Sequence, residues 1–493
     1  MEANQNQTRE YPLEFRGSHL LSLVPLVLFA FGCVLFFVIL KVFAMEALAM
    51  GGVVALMIGS VLAKSQSKYW DAVIKGMSSD MASTIALILL VVGIFTRMVS
   101  YGHVTQGFVW IGSKIGLHGS LFCVFTFIAT SIIATATGTS IGTLFSCFPI
   151  LFPAGVLLGA NPVFLAGAIL SGAIFGDNLG PISDSTIASA STQGYSRRSG
   201  VADIAGVVKT RLRFSLLGGG IAVVGYLIFG GSAQNSPEAQ ALLQQYSNPS
   251  GLVMLIPVAI LLTIAIVKRN IFISISWGIV SGIIIGLLTG ILTPSDIMRV
   301  EGGDLHGFLY EGIVNMLGLV IYLYGVFGIM GVLQESGTMD KFIQALIDSK
   351  LAKTVAGTEL IIGLGVIITC ICLGAANGPG IIMYGPVGDR LGRTKKLHPY
   401  RRANLLDGIA CSIPPIFPVT SAFIFIVVLV VNGLANDYPF IQPISPFSMV
   451  YATFHCWGLL VAFGISIATG WGRVYEGKDG EPVKTLAEAE KTA

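Results

Sequence analysis

The sequence predicts an all-α polytopic membrane protein made of two inverted-topology repeats, each with a re-entrant hairpin and a broken transmembrane helix. Three observations predict it: a chain too poor in charge to clothe a soluble surface, apolar runs as long as a bilayer is thick, and prolines that recur at one offset. Of the 493 residues, 54% are hydrophobic and 11% charged, and the mean hydropathy is +0.81. A soluble domain carries about 25% charged residues. Leu20–Leu40 holds no charge, a length that matches the ~20 residues a helix needs to cross the hydrocarbon. The 60 glycines suit membrane helices that pack closely or break.

Apolar segments fall near 20–40, 44–63, 82–100, 119–134, 137–157, 163–192, 213–231, 250–267, 271–291, 313–334, 355–373, 376–389, 403–430 and 447–469. The first 19 residues are polar and no small-residue cleavage site follows, so the first segment reads as a retained helix, not a signal peptide. The seven cysteines lie mostly in apolar runs without CxxC or Cys/His spacing and read as small buried hydrophobes. Lysine and arginine are not clustered as nucleic acid would require.

Pro149, Pro162 and Pro181 pair with Pro386, Pro399 and Pro418, each at an offset of 237. Upstream, Val92-Gly93-Ile94 aligns with Phe327-Gly328-Ile329 at 235, and Pro25 with Pro257 at 232. The ordered drift predicts a cytoplasmic N-terminus over 1–16, a first repeat over 17–231, an external linker over 232–249, a second repeat over 250–470 and a cytoplasmic tail over 471–493. With the N-terminus inside, all but four of the 29 lysines and arginines fall in inside loops or ends; Lys41, Lys114 and Arg299 are outside, and Arg97 sits near an outer helix end, where it can snorkel. The first half then starts inside and the second outside, the inverted arrangement of many secondary transporters. Charge parity does not separate two full spans from one hairpin at 119–157 and 355–389; the short first arm and the small polar turns favour hairpins.

The richest stretch is Gly176-Asp-Asn-Leu-Gly-Pro-Ile-Ser-Asp-Ser-Thr186. Gly180 and Pro181 break the backbone at membrane depth, which is tolerated only where it is buried in protein or lines a cavity. Asp177, Asn178, Ser183, Asp184 and Thr186 offer carboxylate, amide and hydroxyl oxygens, the hard donors a small cation takes. The blander reading makes Asp177 a helix cap and Asp184 a wet helix end. Thr137, Thr139 and Ser140, in Thr137–Thr143, sit at a hairpin tip that either lines the same cavity or bonds back to its own helix. The repeat mates bring Asn377 and Gly378 at the second tip, and Thr420 and Ser421 after Pro418. By the 237 offset Asp177 maps to Pro414 and Asp184 to Ser421, so charge handling concentrates in the first half. Asp407 is expected to pair with Arg401 or Arg402, or to join the site; His455 reads as a packing residue and Glu46 as interfacial.

At these residues the chain resembles the NhaC family of sodium/proton antiporters. That family shows a G-D-x-x-S-P-x-S-D-T-T-like stretch, matched here by Gly176, Asp177, Pro181, Ser183, Asp184 and Thr186, preceded by a T-G-T-S-W-G-T-like one, matched by Thr137 to Thr143. Gly180 replaces a serine, Ile141 a tryptophan and Ser185 a threonine. The resemblance implies an ion-transporter fold, sodium or proton coupling, a homodimer and a bacterial cytoplasmic (inner) membrane. The expected function is sodium/proton antiport, with sodium at Asp177 and Asp184, no other cofactor, and only the lipid bilayer and a small ion or solute as partners. The alternative is coupled transport or exchange of a small organic acid or amino acid. An enzyme is disfavoured: the two aspartates share one segment, and no HExxH or P-loop occurs.

Overall fold

In hydrocarbon the backbone must satisfy its own hydrogen bonds, and the apolar stretches accordingly fold as helices. The computed structural model describes residues 13–40, 45–181, 183–231, 248–268, 270–372, 377–418 and 421–491. The linker expected over 232–249 therefore falls almost wholly outside the described residues, as does Thr420. The first half contains α1 (Val24–Val34), α2 (Met45–Leu62), α3 (Gln66–Met77), α4 (Asp80–Tyr101), α5 (Val104–Lys114), α6 (Ser120–Thr137), α7 (Ser140–Leu157), α8 (Pro162–Leu179), α9 (Asp184–Ser191) and α10 (Ile204–Phe229). The second contains α11 (Leu255–Lys268), α12 (Ile271–Thr289), α13 (Phe308–Glu335), α14 (Thr338–Ile347), α15 (Val355–Cys372), α16 (Asn377–Thr394), α17 (Pro399–Ser412), α18 (Ala422–Asp437), α19 (Phe454–Thr469) and a last helix, α20 (Leu486–Lys491). Two short hairpins, β1 (Arg299–Glu301) with β2 (Asp304–His306) and β3 (Tyr475–Glu476) with β4 (Pro482–Val483), are antiparallel. Among the described residues seven helices are long and apolar enough to span a membrane, with a bent pair at Pro446–Thr469 and several shorter apolar helices beside them.

Residues 1–86 and 320–349 form one compact unit, and 87–319 with 350–493 another. In the first, the Arg16 amide donates to Leu62 O at 2.9 Å, Lys75 pairs with Glu335 at 2.8 Å, and Ser22 and Thr338 share a buried hydroxyl bond of 2.7 Å.

In the second unit the predicted register holds element by element. α7 and α16 begin at 140 and 377 and end at 157 and 394, and α8 and α17 begin at 162 and 399, always 237 apart. The same cap recurs: Asn161 accepts from the Val163 amide at 3.1 Å and His398 from the Tyr400 amide at 3.1 Å, each before a proline at the first helical position. The hairpins enter from opposite ends. The base of α6–α7 is tied to the α8 start and the α10 end, through Gly119 N to Leu158 O (2.9 Å) and Asn161 N to Gly230 O (2.8 Å). The base of α15–α16 lies with the C-terminal segment: Lys395 Nζ donates to Lys353 O at 3.0 Å and His398 N to Val474 O at 3.0 Å. α10, 26 residues and so about 39 Å long, runs from one end to the other. Each hairpin stops at a helix break instead of running on, so both are re-entrant and the two are inverted.

α6 lies close against α8 because Gly176 has no side chain: an added Cβ would collide with Ser131 O and sit 2.6 Å from Thr135 N. At the tip Gly138 takes φ +68°, a left-handed turn open to glycine, so that α7 restarts after Thr139 alone.

The C-terminal segment is folded onto the same end. Glu476 accepts from the Ser196 and Arg197 amides at 2.8 and 2.9 Å, and His398 Nε2 contacts Gly480 O at 3.0 Å. Burial pushes the His398 imidazole down from 6.5 to about 4; the Gly480 carbonyl and Glu476 pull upward, and Arg402 and Arg198 push down. An undocked His398 gains its proton near pH 6.5, the docked one only near 4. Docking is therefore fully stable above 6.5 and weakens as pH falls toward 4, by about tenfold per unit. Limited proteolysis, scaled to an unstructured reference peptide, is expected to nick residues 474–483 about tenfold faster at one pH unit below that upper value than above it. His398→Asn, which keeps the cap, is expected to flatten this dependence; a pH-independent wild type would exclude the imidazole as its cause.

Candidate functional site

The site forms where the α8–α9 break meets the tip of α6–α7 and the middle of α17. The chain leaves α8 at Gly180, whose amide donates to Asp177 O at 3.1 Å, and re-enters a helix after Ser183. The break exposes the last carbonyls of α8, which a cation or donor must satisfy. Asp177 is buried and accepts from Ser140 Oγ, the first residue of α7, at 2.6 Å.

The carbonyl end of α8 is met by Arg211 of α10. This fully buried side chain donates to Asn178 O at 2.6 Å, to Thr186 Oγ1 at 3.0 Å and to Asn404 Oδ1 at 3.0 Å, and forms an ion pair with the equally buried Asp407. A cation at a helix C-terminus is favoured by the helix dipole, and a buried ion pair holds only when its remaining donors are bonded. Asp407 also accepts from Thr186 Oγ1 at 3.2 Å, and Cys411 Sγ lies 3.2 Å from it. Ser215 Oγ donates to Asn178 Oδ1 at 2.7 Å, while Asn178 Nδ2, buried, has no partner among the described residues.

The second hairpin reaches the same place. Asn377 begins α16, as Ser140 begins α7, and the two are 237 apart. Asn377 Nδ2 donates to Cys411 Sγ at 3.5 Å, and its Oδ1 has no partner among the described residues. Gly378 faces open space. Each tip thus approaches a carboxylate, directly at Asp177 and through Cys411 at Asp407. Ser421 is buried and caps α18, accepting from Ile424 N at 3.2 Å.

The predicted residues divide accordingly. Asp177, Asn178, Ser183, Thr186, Ser140, Asn377 and Gly378 come together or line the junction. Thr137 bonds back to Ile133 O at 2.9 Å and faces Thr143 Oγ1 at 3.3 Å, and Thr139 caps α7 through Gly142 N at 3.3 Å, so both hold the tip. Asp184 begins α9 and is exposed. The expected pairing of Asp407 with Arg401 or Arg402 does not occur: Arg401 pairs with Glu359 at 2.8 Å and Arg402 with Asp389 at 3.2 Å. Helical geometry explains this, since on the helix Asp407 is more than a full turn from either arginine. Arg97 does not snorkel; it is clasped by Glu311 and Asp437. His455 packs against Phe175 with ring centroids 5.0 Å apart. Arg211 escaped the sequence reading because its surroundings look like a basic loop. The missed signal was Asp203, which caps α10 through Gly206 N at 2.7 Å and so places Arg211 two turns inside the helix.

Among the described residues no group of three or more His, Cys, Asp or Glu side chains converges. The groups at the junction are hydroxyl, amide and carboxylate oxygens with the Cys411 thiol beside Asp407.

Residues 17–231 match the model of the Na+/H+ antiporter family. A malate-2H(+)/Na(+)-lactate antiporter of Bacillus subtilis is 27% identical over 62% of this chain and 66% of its own length. An uncharacterized Na(+)/H(+) antiporter of Haemophilus influenzae is 28% identical over 71% and 78%, and the Na(+)/H(+) antiporter NhaC of Alkalihalophilus pseudofirmus 25% identical over 60% and 66%. The match thus spans just under two thirds of the first and third of these relatives. The YdaH transporter of Alcanivorax borkumensis, 14% identical over 77% of this chain and 85% of its own, aligns with a TM-score of 0.31. Residues 17–231, the stretch that carries the first hairpin, the break at Asp177 and Arg211, are thus similar to the Na+/H+ antiporter family over somewhat less than half of the chain.

Proposed function

We propose that the protein is a secondary active transporter that exchanges sodium for protons by alternating access, with Asp177 as the exchanging group. One observation carries the reading. Of the two buried carboxylates at the junction, Asp407 is neutralised by Arg211, whereas Asp177 has a hydroxyl partner and, among the described residues, no cationic one. An ionised carboxylate taken out of water needs a counter-charge or a proton. Sodium supplies the first and a proton the second, and the two exclude each other at one carboxylate, which is the requirement for exchange. Ser140, Ser183 and Asn178 lie beside Asp177 to complete a sodium shell, and exposed Asp184 is placed to hand the cation to water. Thr139 holds the tip that carries Ser140. Motion of the elements bearing the hairpins and breaks would open the site to alternate sides.

The arrangement proposed around this site has residues 17–231 and 250–470 as inverted repeats in the bacterial cytoplasmic membrane, both termini inside, in a homodimer. The tail end of the second unit carries the basic residues Arg197, Arg198, Arg393 and Lys395, which supports that orientation.

A second reading, sodium-coupled exchange of a small organic acid, is favoured by the space over Gly378 and the unpartnered Asn377 Oδ1, and by the malate/lactate activity in the name of the B. subtilis relative. Proteoliposomes with an internal pH dye distinguish the two. A sodium gradient alone is expected to move protons, and Asp177→Asn is expected to abolish the movement. Proton movement that begins only when malate or lactate is added would replace the first reading with the second. Ser140→Ala, which removes a hydrogen bond to a charged group worth about 1.5–3 kcal/mol, is expected to weaken half-saturation by sodium roughly tenfold or more and to leave folding intact.

Arg211 and Asp407 make a separate prediction about stability. Removing one partner of a buried pair costs about 3–5 kcal/mol, and replacing both with apolar groups costs far less. Arg211→Met and Asp407→Leu alone are expected to lower the melting temperature of the purified protein strongly, and the double variant to recover most of the loss. Additive losses would show that the pair is not the unit of stability.

A further inference from the structure

A polar cavity of about 390 Å³ opens at the far end of α18 from the break. α18 has 16 residues, so this cavity lies about 24 Å along the helix from Ser421 and is separate from the ion site. Among the described residues its lining has one cation, Arg97 of α4, and one anion, Asp437 of α18, paired with each other. Tyr101 and Tyr438 contribute rings, and Gln106 an amide that both donates and accepts. Behind this lining Glu311 holds the other arm of the Arg97 guanidinium and accepts from Tyr101 Oη at 3.0 Å. The Tyr438 hydroxyl is bonded to Thr105 at 3.0 Å.

Two features set the cavity apart from an ordinary surface cleft. Arg97 Nε and Ser100 Oγ are buried without partners among the described residues, and such unsatisfied donors are costly in a finished structure. His103, in the lining, holds φ +57° without being a glycine and precedes α5 as its N-cap without a side-chain cap bond; backbone strain of this kind gathers at ligand sites.

The charges decide what fits. A simple anion would meet Asp437, and a simple cation would meet Arg97. A ligand bearing both charges offers its carboxylate to Arg97 and its ammonium to Asp437, so that one internal ion pair is exchanged for two. The volume falls within the range of small-molecule pockets. The geometry points to a binding site for a small zwitterion of the amino-acid class, recognised by Arg97, Asp437 and Gln106. Binding separates Arg97 from Asp437 and so releases α4 from the end of α18, the helix whose other end Ser421 caps beside the ion site. The site does not depend on the sodium–proton reading, because occupancy is measured without flux.

The test is the melting shift and binding heat of the purified full-length protein with each protein amino acid in turn, beside n-butylamine and lactate as probes carrying only one of the two charges. At least one amino acid is expected to bind and to stabilise the protein, and both single-charge probes to fail. Asp437→Asn is expected to weaken that binding at least tenfold. Gln106→Leu, which leaves the ion pair in place, covers the case in which Asp437→Asn does not fold, and is expected to weaken it likewise. Asp177→Asn is expected to leave it unchanged. The proposal is overturned if no amino acid binds, or if n-butylamine or lactate binds as well as the amino acid. It is also overturned if binding survives Gln106→Leu and is lost in Asp177→Asn, which would put the solute at the α8 break.

Discussion

The buried pair of Arg211 and Asp407 is the interaction on which the arrangement of the junction depends. It ties α10 to α17, and through Asn178 O and Thr186 it also fixes both sides of the α8–α9 break. A helix broken in a low-dielectric interior leaves carbonyls that water is not there to satisfy. A lysine would bring one point charge; the planar guanidinium spreads its donors over a carboxylate, a main-chain carbonyl and a hydroxyl at once. Because those donors are engaged, the pair is a structural unit, and the charge left free at the junction is that of Asp177. The same guanidinium that closes the break therefore leaves Asp177 as the acid proposed to take a cation.

The two halves use one design with different residues. The starts of α7 and α16, and of α8 and α17, keep one spacing, down to a capping residue followed by proline. What the spacing preserves is backbone geometry: two re-entrant tips from opposite ends, each stopped at a break. The chemistry placed on that geometry differs. Ser140 and Asn377 are equivalent and both point toward an acid-bearing helix, but Asp177 has Pro414 as its equivalent, and Asp407 has Leu170. Proline supplies the second break where aspartate supplies the first with a charge.

Most of this backbone plan was legible in the sequence, because its signals are local. Gly180 and Pro181 cannot continue a helix in the ordinary way, Gly138 marks the hairpin turn, and the paired prolines carry the repeat. Asp177 and Ser140 were legible for the same reason, being polar atoms in apolar runs. What was not legible depends on distant partners. Arg211 and Asp407 are 196 positions apart, and each has nearer and more obvious partners in sequence: arginines Arg401 and Arg402 for Asp407, a basic loop for Arg211. Thr137 and Thr139 have the composition of ion ligands, yet a hydroxyl on a helix can always bond back to its own carbonyl, and only the fold decides between the two uses. Arg97 was misread as a snorkelling side chain because neither Glu311 nor Asp437 is near it in the chain.

The asymmetry of the junction bears on how exchange would stay coupled. If both acids were free, the site would hold two cations, or one cation with an unpaired charge that burial penalises. With Asp407 locked to Arg211, the proposed site would be electrically complete with one positive charge on Asp177, whether sodium or a proton supplied it. An empty, ionised Asp177 remains the costly state, and that cost opposes movement of the unloaded carrier. A leak requires that movement, so under the proposed exchange the locked pair, by leaving a single charge to be filled, would make exchange the favoured cycle and uncoupled return the unfavoured one.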